Sequence, residues 1–431
     1  MKWRSAVLVV LLASCLLPAA NGGARAQPAP ARTPEQLRYD IEEKVSRTLL
    51  VGFNGDAPDT PDTLRFITML GRYPLGGIVV FDRNVRDAAR LSGLIGQIER
   101  ALPERQLAAV DEEGGAVRRL RRLREVPATP AAATVSAGSL ENAFNTYATL
   151  AGSLARLGFD VNFGPVVDLD LERANPVVGG PRRSYGNDPA TVAAYAGAFV
   201  RAHDVYGVAT VLKHFPGHGS TRVDPHQTAV DASRSWSPRE MEPFRMVIAA
   251  DRPAMVMTSH IVVRSPALGQ ASPLPATFSG GTVATLRRQL GFKGLVVSDD
   301  ITMGAMGGYP LDEVVHRALL AGHDLVILAN LGTDPPARIR EVITRVADRA
   351  MADPALRAAI EIASGAVDQF KRERAARLLA AGQADVSATR QREGAPPLES
   401  RQRPALLPAQ PPLRALPRGG RADVLNAQRR Q

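Results

Sequence analysis

The 431-residue sequence predicts an α/β fold: a single (β/α)8 TIM barrel followed by a disordered C-terminal tail. Three observations predict it. Short apolar runs alternate with longer stretches of helical spacing, as expected of parallel strands joined by crossover helices. Eight such runs can be counted between residues 49 and 329. Several end on carboxylates or histidines, and a barrel gathers its strand ends on the one face where its chemistry sits.

The order of elements follows from the ends inward. Residues 1–26 combine a basic start (Lys2, Arg4), an apolar run from Ala6 to Leu17 and a small-residue site at Ala24-Arg25-Ala26, which reads as a secretory signal peptide. The single cysteine, Cys15, lies inside that run and offers a lipoprotein alternative, the one route by which this chain would meet a membrane. Thr33-Pro34-Glu35-Gln36 looks like a helix N-cap with proline in the first turn and a capping-box glutamine. The expected strands are Leu49 to Phe53, Gly76 to Phe81, Leu107 to Asp111, Val161 to Asp168, Val208 to His214, Ala254 to His260, Leu295 to Asp299 and Leu325 to Ala329. Helical stretches between them include Val85 to Leu102, Leu140 to Leu157, Pro189 to Val205, Pro238 to Ala250, Thr282 to Leu290 and Leu311 to Ala321. Residues 27–380 thus form the barrel domain. Residues 381–431, rich in proline and arginine, carry too few apolar residues to pack and read as disordered. Much of the net charge of +10 sits in the two ends, so the body is nearly neutral and a poor partner for nucleic acid.

The densest chemistry lies in Lys213-His214-Phe215-Pro216-Gly217-His218-Gly219-Ser220-Thr221-Arg222-Val223-Asp224-Pro225-His226, placed by its proline and glycines on a loop leaving the fifth strand. Asp111 with Glu112 and Glu113, Asp168 with Asp170, His260, and Asp299 with Asp300 mark other strand ends. Any one of these could simply cap the next helix. Their coincidence on one face points to a catalytic site.

These segments, Val110-Asp111-Glu112-Glu113-Gly114-Gly115, Lys213 to Gly219, Asp224-Pro225-His226 and Ser298-Asp299-Asp300, resemble glycoside hydrolase family 3 in its β-N-acetylglucosaminidase (β-hexosaminidase) branch, across roughly residues 45 to 335. The resemblance implies that Asp299 is the nucleophile of a retaining hydrolase and that His226, polarised by Asp224, is the general acid/base. It also implies sugar contacts from Asp111, Arg119, Arg183, Lys213 and His214. The chemistry is coherent: a retaining glycosidase needs a carboxylate at the anomeric carbon and a proton donor at the leaving oxygen. A histidine titrates near neutrality without a strongly shifted carboxylic acid. Pro225 departs from the serine usual at that position, and the Asp224–His226 spacing is expected in an extended segment that points both side chains one way. No cofactor or metal is implied, and a monomer is expected. A non-catalytic carbohydrate-binding barrel is disfavoured because Asp299, Asp224 and His226 are all intact. Muropeptide and chito-oligosaccharide substrates both fit, as does transfer to phosphate instead of water.

Overall fold

Eight short strands with buried residues on both faces leave no polar side to expose, which is the pattern of a parallel sheet covered outside by helices. The structure, a computed structural model, describes residues 32–102, 105–269 and 273–393. The strands are β1 (Leu49–Gly52), β2 (Gly77–Val80), β3 (Leu107–Val110), β4 (Val161–Asn162), β5 (Ala209–Phe215), β6 (Met255–Thr258), β7 (Leu295–Asp300) and β8 (Leu325–Leu328). They pair in chain order, and β8 returns to β1, with Leu49, Leu50 and Val51 opposite Val326, Ile327 and Leu328. The predicted barrel is therefore present, with all eight strands at their expected places.

Alternation along each strand divides the core. Leu50, Val79, Ala109, Val161, Val211, Met257, Val297 and Ile327 fill the barrel interior, while Val51, Ile78, Val110, Leu212, Val256, Val296 and Val326 face the helical layer. That layer comprises α1 (Pro34–Arg47), α2 (Pro61–Leu70), α3 (Ala88–Arg100), α4 (Leu140–Leu157), α5 (Pro189–Val205), α6 (Glu242–Asp251), α7 (Gly280–Ala284), α8 (Leu311–Ala321) and α9 (Pro335–Ala352). The capping box at Thr33 and Gln36 forms as the sequence predicts.

Boundaries differ where local turns compete with the helix. α3 starts at Ala88 because Asp87 caps it and Val85 is extended. Pro238–Met241 is a 3-10 turn ahead of α6, and α7 passes into a π turn over Thr285–Gln289. The fourth strand is shorter than expected, ending at Asn162, although Val166 makes an isolated bridge with Lys213.

A long helix, α10 (Pro354–Glu393), follows α9, and its part up to Arg374 packs on the end of the barrel where the strands begin. Val367 joins the interior cluster with Phe370 packed against it. Lys371 donates to the Leu75 carbonyl (2.7 Å), and Arg374 Nε donates to the buried Asp160 (2.7 Å), which also accepts the Ala108 amide. The chain divides into two units, Met1–Leu378 with the barrel and Leu379–Gln431. α10 runs to Glu393, into the segment predicted to lack structure; residues 394–431, like residues 1–26 where a signal peptide is expected from the sequence, lie outside the described residues. No helix among the described residues is long and apolar enough to cross a membrane.

Candidate active site

The inward-facing row of two strands runs into functional side chains. Two residues beyond the interior Ala109 and Val211 come Asp111 and Lys213, so the period of two that fills the core also aims these groups into the mouth of the barrel. On β7, Asp299 lies within a register shift against β8, where Leu325 stands opposite Val297 and Ile327 opposite Asp300. Lys213 and His214 belong to β5 itself, and the loop begins at Pro216, later than the sequence suggests. They lie where β5 shifts register against β6, and their backbone is held from the other side: the Lys213 amide donates to the Pro165 carbonyl (3.2 Å), its carbonyl accepts the Val167 amide (2.9 Å), and the His214 amide donates to Asp168 (3.2 Å).

Lys213 is only 2% exposed and lies between two carboxylates, Asp111 Oδ1 at 2.7 Å and Glu113 Oε1 at 2.5 Å. Glu113 also accepts both arms of Arg183, at 2.8 and 2.7 Å. Burial works against the Glu113 charge, but Arg183 and then Lys213 outweigh it and hold the carboxyl well below the usual range. Asp111 differs: burial pushes its carboxyl up, offset only in part by Lys213. Arg119 stands 3.7 Å from Asp111 Oδ2, and its buried Nε has no partner among the described residues. It belongs to the loop that follows the small hairpin of Glu112–Gly114 and Val117–Arg118. Glu112, fully buried, holds that hairpin by accepting the Leu120 amide (2.8 Å).

His214 is set by Asp168. That buried carboxylate accepts Nδ1 at 2.7 Å and the His214 and His218 amides at 3.2 and 2.8 Å. An ionised carboxylate only accepts, so Nδ1 carries the proton and Nε2 faces the Arg183 guanidinium at 3.5 Å. Although Asp168 is buried, His214 keeps its carboxyl below the usual range.

Asp299 and Asp300 are adjacent but face opposite ways. Asp300 accepts the Thr302 and Ala329 amides and the Thr302 hydroxyl, tying β7 to β8, and burial pushes its carboxyl up. Among the described residues the Asp299 side chain accepts only the amide of Asp300 (2.8 Å). Burial opposes its charge, but His214, then His260 and His226 draw the carboxyl below its ordinary value, so it stands ionised. His260 is oriented by donating through Nε2 to the Asp300 carbonyl (2.9 Å).

His226 sits on the loop beyond β5 with its side chain 60% exposed, and its Nδ1 lies 2.7 Å from Asp224 Oδ1. The pairing is as expected but the backbone is not extended. Asp224 Oδ1 also accepts the His226 amide (2.8 Å), and the Asp224 carbonyl accepts Gln227 and Thr228, which bends the segment into a turn around Pro225. Asp224 satisfies its own neighbours' amides better this way than an extended chain could. The root of the loop is buried. Asn175 Nδ2 donates to the His218 carbonyl (2.7 Å), and Glu240 accepts the Gly219 amide and the Ser220 hydroxyl at 2.8 and 2.6 Å. A β-carbon on Gly219 would meet the Leu169 carbonyl oxygen at 1.9 Å, so only glycine fits there. His218 donates or accepts through Nδ1 with Thr221 (2.8 Å), and burial drives its imidazole down to about 4, so it is neutral.

All eight residues singled out in the sequence thus lie at the C-terminal mouth of the barrel. Lys213, Asp111 and Arg183 form one network through Glu113, with Arg119 at its edge, and Asp224 pairs with His226 apart from it. Arg183 is largely consumed by Glu113, which the sequence had not distinguished from its acidic neighbours. Asn175 and Glu240 carried no signal, since each acts through a loop remote in the chain. Among the described residues no group of three or more His, Cys, Asp or Glu side chains is placed to hold a metal ion.

The glycosyl hydrolase family 3 N-terminal domain matches residues 41–361. The chain belongs to glycosyl hydrolase family 3. As a member of that family it is a glycoside hydrolase. A beta-hexosaminidase of Stenotrophomonas maltophilia (strain R551-3) is 36% identical over 320 residues, covering 72% of this chain and 89% of that protein. A beta-hexosaminidase of Xylella fastidiosa (strain M23) is 35% identical over 311 residues, 70% of this chain and 87% of its own. Among solved structures of the family, the β-N-acetylhexosaminidase of Beutenbergia cavernae superposes with a TM-score of 0.69 at 28% identity, covering 77% of this chain and 98% of that one.

Proposed function

We propose that this family 3 enzyme is a retaining β-N-acetylhexosaminidase that releases terminal β-linked N-acetylglucosamine through a covalent glycosyl intermediate on Asp299. The observation that carries the reading is the ionised, inward-facing Asp299 beside a buried Lys213–Asp111–Glu113–Arg183 network, with the His226–Asp224 pair on the adjoining loop. The names of the similar proteins support the N-acetylated sugar. Asp111 accepts sugar hydroxyls and Lys213 and Arg119 present donors, while Arg183 and His214, engaged with Glu113 and Asp168, set the wall of the site; charge-assisted bonds of this kind are the stronger ones.

Asp299 attacks the anomeric carbon as the protonated Nε2 of His226 delivers its proton to the departing glycosidic oxygen. Neutral His226 then takes a proton from the water that attacks the same carbon, and Asp299 leaves as a carboxylate. Asp224, whose carboxyl is held below its ordinary value, stays ionised throughout and holds the imidazole by Nδ1. The leader-like composition of residues 1–26 supports an exported enzyme, periplasmic or secreted, that acts on peptidoglycan fragments.

Purified protein is expected to hydrolyse an aryl β-N-acetylglucosaminide with net retention and to leave the matching β-glucoside intact, with a glycosylated Asp299 peptide on rapid quenching. Inverted product, or no preference for the acetamido sugar, overturns the proposal.

A further inference from the structure

The loop that carries His226 is held firmly at its root and lightly at its tip. Between residues 223 and 229, hydrogen bonds to any other element number two among the described residues: the Gly304 amide donates to the His226 carbonyl (3.0 Å) and the Ala305 amide to the Pro225 carbonyl (2.9 Å). Both donors lie in the 3-10 turn Gly304–Met306, which follows β7 and hence the Asp299 carboxylate in the chain. The acid/base loop and the nucleophile strand are joined at this point.

Space, not conformation, makes residue 304 a glycine. It opens a helical turn that any residue adopts, and it is not among the positions of positive φ. A β-carbon placed on it, however, would meet the carbonyl oxygen and carbon of Gln227 at 2.4 and 2.5 Å and the His226 carbonyl oxygen at 2.8 Å. All three are backbone atoms of the loop tip, so the turn and the tip could not keep this approach and one of them must move. Gly308, in the same connection, has open space where its β-carbon would go.

We propose that Gly304 is a positioning residue for the acid/base: by lacking a side chain and by donating its amide, together with that of Ala305, it seats the tip of the loop so that His226 stands over the bond cleaved at Asp299. This rests on the acid/base role proposed for His226. It requires no contact between Gly304 and substrate. Pro225, the departure from the family's usual serine, suits the arrangement, because the latch uses its carbonyl and leaves its missing N–H without consequence.

Gly304→Ala, Ala305→Pro, Gly308→Ala and His226→Ala are compared on two N-acetylglucosaminides, one with an activated phenol and one with a sugar alcohol as leaving group. Gly304→Ala is expected to lose about 10- to 100-fold in kcat/KM on the poor leaving group, short of the 10²- to 10⁴-fold typical of complete loss of general acid/base catalysis. It should lose less than about 3-fold in kcat/KM on the activated one, and azide, which needs no base, should restore its kcat there. Ala305→Pro, which deletes the second amide without adding bulk at Gly304, should shift the same way, and Gly308→Ala should match the parent. Melting temperatures of all variants report folding independently. Equal losses on both substrates by Gly304→Ala, or no azide rescue, while His226→Ala shows the leaving-group dependence, overturns the latch alone. Absence of that dependence in His226→Ala removes the acid/base reading and the latch with it.

Discussion

Lys213 and His226 belong to one strand and the loop after it, yet Lys213 is 2% exposed between two carboxylates while His226 is 60% exposed with one carboxylate for a partner. The first environment fixes geometry. Asp111, Glu113, Arg183 and Lys213 exclude water from one another, and each polar arm is already aimed before a sugar arrives, which is how a site avoids reorganising during reaction. The second environment permits exchange. A group that must gain and lose a proton in each cycle needs access to water and a partner that steadies the cation without burying it. The comparison teaches that recognition and proton transfer need opposite surroundings, and that a barrel supplies both by letting one strand run from the core into solvent.

The largest expected effect falls on the residue that both regions serve. Asp299→Asn removes the proposed nucleophile and should abolish turnover of every β-N-acetylglucosaminide whatever its leaving group. Residual activity that still depends on leaving-group acidity, with no adduct by intact mass, would show that another group attacks.

Next comes the exposed region. His226→Ala is expected to slow substrates with alcohol leaving groups by about 10² to 10⁴-fold while activated aryl glycosides still form the covalent intermediate, which then accumulates. Burst kinetics check this, and a uniform loss across substrates breaks the proposed division of labour.

A stability experiment separates the two environments more directly. Glu113→Gln leaves Arg183 and Lys213 buried with too little negative charge, which typically costs about 3–5 kcal/mol. Asp224→Asn disrupts a pair on an exposed loop and should cost less than about 1 kcal/mol. Denaturant unfolding of both variants provides the measurement, and comparable losses would mean that the loop is as much a part of the folded core as the Lys213 network.

Much of this was legible in the sequence, for reasons that can be traced to particular residues. The eight strands were visible because Val, Ile and Leu runs buried on both faces have few alternatives in a chain with helical stretches between them. The choice of Asp299 over Asp300 rests on the family resemblance and not on period-two alternation, because a register shift between β7 and β8 sets Asp300 opposite the interior Ile327 and breaks the row of Val297. Asp224–His226 reads as extended in the sequence but folds into a turn, because aspartate competes for its own following amides and that local contest outweighs the strand habit. Glu240 was invisible. Placed after Ser237-Pro238 it has the look of an ordinary first-turn acid, while its true partners, Gly219 and Ser220, lie 21 and 20 residues earlier and come to it only through the folded barrel.

Glu240 supplies the prediction that tests how the two regions meet, since it is buried like the first and holds the root of the loop that carries the second. Burial pushes its carboxyl from the ordinary 4.5 up to about 7, against the pull of Ser220 and the loop amides. The folded chain therefore keeps a proton that the unfolded chain has released, so this contribution to stability is full below about pH 4.5 and is lost as pH rises through about 7. Glu240→Gln cannot ionise and keeps an oxygen for the Gly219 amide. Between pH 4.5 and 8 its stability should improve relative to the parent by about 2–3 kcal/mol. Glu112, whose carboxyl burial likewise raises to about 7, is present in both proteins and cancels in the difference. Unfolding curves that stay parallel across this range would mean that Glu240 remains ionised at the loop root, held by its two donors. The boundary between the buried and the exposed region would then be a fixed charge and not a proton that comes and goes.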